Sequence, residues 1–127
     1  MRMTVSALTE LFLMDMGYAR NDTAEDDVVA EYAGVFLRWL NEGYARAVCR
    51  LHGREAVGRL DPLRSEEDEP VKLDEALHPL LADYAAARAQ EMRGNTASAS
   101  GLYAAFERGI TEAAGGADFR FKAWDML

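Results

Sequence analysis

Residues 28–51, VVAEYAGVFLRWLNEGYARAVCRL, constrain this chain more than any other stretch. Wound at 3.6 residues per turn, they place Val28, Tyr32, Val35, Phe36, Trp39, Leu40, Gly43, Tyr44, Ala47 and Leu51 on one arc of roughly half the circumference. An arc that broad touches two neighbours rather than one. The acidic run Glu25-Asp26-Asp27 ahead of it suits a helix N-terminus, and Arg46, Arg50 and His52 followed by Gly53 suit a C-terminus and its cap. A helix over the whole stretch would be about 36 Å long, and each large apolar side chain it buries contributes roughly 1.5 to 3 kcal/mol. It is the natural spine of the fold.

Three more helices are expected. Residues 4–16, TVSALTELFLMDM, carry Val5, Leu8, Leu11 and Phe12 at helical spacing, with Thr4 or Ser6 available as N-cap and Gly17 as terminator. LDEALHPLLADYAAARAQEM, residues 73–92, reads as a helix buried through Leu77, Leu80, Leu81, Tyr84, Ala85, Arg88 and Met92. Pro79 requires either a separate turn over 74–78 or a helix proper beginning near itself. The next helix follows through Leu102, Ala105, Phe106, Gly109, Ile110 and Ala113, and Gly115-Gly116 is expected to end it. So short a link makes the last two helices antiparallel, and Gly101 and Gly109 suit close helix packing.

Two stretches have no helical period. Residues 53–73 hold two Gly, two Pro and the run Ser65-Glu66-Glu67-Asp68-Glu69. The expectation is an exposed, projecting loop, with a VGRL–PVKL hairpin around the acidic tip as the other arrangement. In the tail ADFRFKAWDML, Phe119, Phe121 and Ala123 alternate with Arg120 and Lys122 at strand period. A lone strand in a helical domain has an unpaired edge, so the tail either folds back as an irregular plug or docks on another chain.

With 127 residues, half of them apolar, the chain is long enough for one core and too short for two. Its formal charge of -8 argues against a nucleic-acid surface, because phosphate contacts need Lys and Arg. The basic end of the spine, Arg38, Arg46, Arg50, Arg54 and Arg59 against Glu42 and Glu55, reads as dipole complement and ion pairing. The single Cys49 excludes an internal disulfide, and neither a leader nor a membrane-length apolar run is visible, so a soluble protein of the cytoplasm is expected.

Motifs for chemistry are weak. Glu75-x-x-His78 has the spacing of half a di-iron site, and its second half is missing. Glu66-x-x-Glu69 has the spacing with which helical nucleotide pyrophosphatases hold magnesium, yet it lies in a Pro-flanked polar run rather than a helix. No catalytic, cofactor or metal residue is therefore assigned. On the side of the spine away from the apolar arc, Ala30, Gly34, Asn41 and Ala45 are small or neutral where charged residues would be ordinary. Chance accounts for them, or a neighbouring subunit's helix lies there.

Taken together, FLRWLNEGYARAVCRL, the interrupted charged segment, ALHPLLADYAAARAQEMRG and SGLYAAFERGI resemble the head-to-tail connector (adaptor, head completion) proteins of tailed bacteriophages and prophages, over residues 28–113. Trp39, Leu40, Asn41, Glu42 and Tyr44, then His78, Leu80, Leu81 and Tyr84 through Arg88, then Tyr103, Phe106 and Glu107 carry the resemblance. It implies a virion assembly part without catalysis that forms a homo-oligomeric ring beneath the portal protein and offers a platform to tail or stopper proteins. DNA would only pass through its channel, and the protein would belong to the bacterial cytoplasm during assembly and then to the virion.

The reading is therefore an all-α, four-helix bundle-like domain over residues 1–117, with a long irregular loop and an extended C-terminal arm over 118–127. Phe119, Phe121, Trp124 and Met126 of the arm, with Gly34 and Ala45 of the spine, are the expected partner-binding residues. An enzyme of the helical nucleotide pyrophosphatase kind and a host helical protein-interaction module are the competing expectations.

Overall fold

A computed structural model describes residues 2–17, Tyr32 and residues 34–115, with the backbone of the last helix continuing to Asp125. Every described element is helical: α1 (Val5–Asp15), α2 (Phe36–His52), the single-turn α3 (Arg54–Gly58), a 3-10 turn (Glu75–Leu77), α4 (His78–Met92) and α5 (Thr96–Asp125). The expected segment 28–31 and the acidic run before it lie outside the described residues.

Helix α1 starts as its cap residue dictates. Thr4 is extended, and its hydroxyl accepts the Ala7 N–H at 3.2 Å. Its buried face is Val5, Leu8, Phe12 and Leu13, and Gly17, at φ 89°, turns the chain out.

Helix α2 is shorter than the apolar arc suggests. Gly34 and Val35 form a turn, with Val35 at φ -125°, ψ -17°, so α2 begins only at Phe36 and spans 17 residues, about 26 Å. Tyr32 therefore precedes the rod instead of lying on it. Its ring is nonetheless buried, meeting Phe12 edge-to-face with centroids 5.7 Å apart and Trp39 at a tilt with centroids 5.6 Å apart. Glycine at 34 supplies little helix propensity and no side chain for packing, which makes the break inexpensive there. The far end agrees with the expectation: Gly53, at φ 88°, caps α2.

Although α2 meets α3, α4 and α5, the most heavily packed helix is α4. It packs against α1, α2 and α5. Leu81, Ala82, Ala85, Ala86, Ala87 and Ala89 are fully buried, with Tyr84 nearly so, whereas Met92, expected inside, is more than half exposed. Alanine gives α4 a small radius, so three helices can approach it at once. Its start combines both arrangements that Pro79 allows. Asp74 caps a 3-10 turn through the Ala76 N–H at 2.9 Å, and the α-helix follows with Pro79 in its first positions.

Helices α4 and α5 form the expected antiparallel hairpin, turning through Gly94 at φ 81°. Gly109 faces Leu80 so closely that an added Cβ would stand 2.5 Å from a leucine methyl, and Gly43 of α2 meets Tyr84 in the same way at 3.0 Å. Gly101 has open space around it, so close packing does not explain it. Trp39, Leu81 and Phe106 share one core, and Phe36 packs against it, as the pattern required.

Gly115-Gly116 does not end the last helix. The backbone stays helical to Asp125, so the alternation from Phe119 to Ala123 is not a strand and the C-terminal segment is not extended. The residues after the double glycine include good helix formers, among them Ala117, Arg120, Lys122 and Ala123, and an established helix propagates through a weak position more easily than a new one nucleates.

Candidate functional site

Residues 53–73, expected to lack helix throughout, open with the single-turn α3; the segment after it is irregular, as expected, but it does not project. Leu63, Pro70 and Leu73 are buried, and four polar side chains fasten the backbone around them. Asn41 of α2 accepts the Leu63 N–H at 2.7 Å and donates to the Leu63 carbonyl at 2.9 Å, reading that residue as a second strand would. One turn along, the Tyr44 hydroxyl accepts the Lys72 N–H at 2.9 Å, and burial pushes its phenol up. Asp68 closes the acidic tip on itself, one carboxylate oxygen accepting the Arg64 and Ser65 N–H groups at 2.7 and 3.0 Å. Those amides hold its carboxyl below the usual range.

The same tip serves α1. The carbonyls of Asp68 and Glu66 accept the N–H groups of Val5 and Ser6 at 2.9 and 3.0 Å, so that with Thr4 three of the helix's otherwise orphaned first amides are satisfied. Glu66 thus contributes its backbone here, and Asp68 its backbone and its carboxylate. No strand forms among the described residues, which removes the VGRL–PVKL hairpin.

His78 is the fourth anchor. Its buried ring accepts the Met3 N–H on Nδ1 at 3.1 Å, which leaves Nε2 as the donor to the Leu73 carbonyl, also 3.1 Å away. Both ring nitrogens are committed to backbone. Glu75, its partner in the sequence motif, instead meets Arg2 at 3.0 Å on the surface. Among the described residues no three His, Cys, Asp or Glu side chains are grouped to hold a metal ion.

The basic end of α2 is paired across helices. Glu107 of α5 takes Arg46 at 3.0 Å and Arg50 at 2.8 Å, and Arg50 also reaches the Thr111 hydroxyl at 3.1 Å. Glu42 takes Arg88 of α4 at 3.3 Å and accepts from the Tyr84 hydroxyl at the same distance. These half-exposed pairs set orientation more than stability. At the contact of α1 with α4 the chemistry is different. Burial, then a hydrogen bond and charge repulsion from Asp15, push the Asp83 carboxyl from 3.8 to about 7.

An apolar groove of about 310 Å³ lies between α1 and the start of α2, walled by Val5, Phe12, Tyr32, Phe36 and Leu37 with Arg64 and Glu66 on its rim. Gly34 lies in the exposed turn beside it, and Ala45 is half-buried on α2. Asn41, read with them as part of a small-residue face, is occupied by Leu63. The side chains of Phe119, Phe121, Trp124 and Met126 lie outside the described residues. No helix among the described residues is long and apolar enough to cross a membrane.

Sequence reasoning missed the anchors because Asn41, Tyr44 and His78 are single polar groups within apolar helical patterns and Asp68 is one acid among several in the charged run 65–69. Asn41, one turn before the aligned Tyr44 and next to Leu40, carried a usable signal: an amide beside the buried arc of a helix needs a partner. No family model, curated protein or solved structure matches the chain.

Proposed function

We propose that this chain is a non-catalytic assembly protein of a tailed-phage or prophage virion, a head-to-tail connector subunit that joins a ring and docks on the portal. The support is the resemblance over residues 28–113 together with one structural observation, the length of α5. Its 30 residues accompany an α4 of 15, so α5 is about 22 Å longer than its hairpin partner. That surplus carries Phe119, Phe121 and Trp124, a concentration of aromatic residues of the kind that anchors interfaces.

In this reading Phe119, Phe121, Trp124 and Met126 face the portal as one helical segment, and Gly34 and Ala45 lie toward a neighbouring subunit. Tail or stopper proteins bind the opposite side of the ring, and DNA passes through without sequence-specific contact, kept from sticking by the acidic balance of the chain. The protein is in the bacterial cytoplasm during assembly and in the virion afterwards. No cofactor takes part.

Removing residues 118–127 tests the proposal. The described core contacts lie before that point, so the truncated protein should melt cooperatively while losing co-purification with the portal. A truncated chain that binds the portal as well as the full one overturns the assignment.

A further inference from the structure

We draw no further inference here: the strongest candidate, the apolar groove of about 310 Å³ walled by Phe12, Tyr32 and Phe36 between α1 and the start of α2, carries nothing because nothing in the structure shows what covers it.

Discussion

The α4–α5 hairpin and the segment 59–74 are both held against the core, by opposite means. The hairpin approaches through absence: alanines along α4 and Gly109 on α5 leave room for Leu80, Tyr84 and Phe106 to interlock, with the Tyr84 and Phe106 rings 5.2 Å apart. The loop is held by presence. Asn41, Tyr44, Asp68 and His78 each spend a polar side chain on loop backbone, and Leu63, Pro70 and Leu73 are buried because those amides and carbonyls are satisfied. Close packing spreads its stabilisation over many small contacts, whereas polar anchoring concentrates it in a few bonds. The hairpin should therefore fail globally and the loop locally.

Phe106→Ala gives the largest expected effect. Emptying a fully buried aromatic site costs about 4 kcal/mol, a fall in Tm on the order of 15 °C, and far- and near-ultraviolet circular dichroism should report one shared transition. Separate transitions would break the idea that the hairpin belongs to a single cooperative unit.

His78→Ala should cost about 3 kcal/mol, since it leaves a cavity and strips both the Met3 amide and the Leu73 carbonyl of their partner. Hydrogen exchange should accelerate at Met3 and around Leu73 before it does in α5. Uniform acceleration across the molecule would remove the distinction between the two regions.

For Asn41→Ala the expected loss is about 2 kcal/mol, with proteolytic nicking confined to residues 60–72 while the helices stay protected. Asn41→Asp keeps the acceptor for the Leu63 amide and loses the donor, so it should fall between wild type and alanine.

A pH dependence is also expected at the α1–α4 contact. With its folded-state carboxyl near 7 and its unfolded value near 3.8, Asp83 binds an extra proton in the folded protein between those limits. Its contribution to stability is full below about pH 4 and is lost as pH rises through 7. Asp83→Asn should match wild type in acid and exceed it above pH 7, as chemical denaturation of both proteins at each pH would show. Equal curves at all pH values would mean that neither burial nor Asp15 raises the Asp83 carboxyl. Asp68, held low by loop amides, works in the opposite sense, contributing stability above its unfolded value that is lost on acidification, so the two regions should respond to pH with opposite sign.

Much of the fold was legible in advance. Thr4 as a cap, Gly17 and Gly53 as terminators, the turn before Pro79, the antiparallel last pair and the shared core of Trp39, Leu81 and Phe106 all follow from local rules. What misled was weighting by amphipathic contrast. The spine stands out because one side of α2 is charged, while α4, with apolar residues almost all round, gives little contrast and is yet the more central helix. The tail misled for a related reason: alternation over five residues is compatible with a strand, but it cannot outweigh a helix already running into it. Of the candidate interface, residue types alone named Phe119, Phe121 and Trp124, whose side chains lie outside the described residues.

By itself the amino-acid order determined the four longer helices, where glycine and proline stop most of them, and that a single apolar core would result. Those are properties of neighbours along the chain, settled by backbone sterics and by the period of apolar side chains. Only the tertiary structure decided that α4 is central, that residues 59–74 lie flat, and that Asn41 and His78 serve backbone rather than chemistry. Each of those outcomes pairs groups tens of residues apart, Asn41 with Leu63 and Met3 with His78, and a hydrogen bond across such a distance leaves no periodic trace in the sequence.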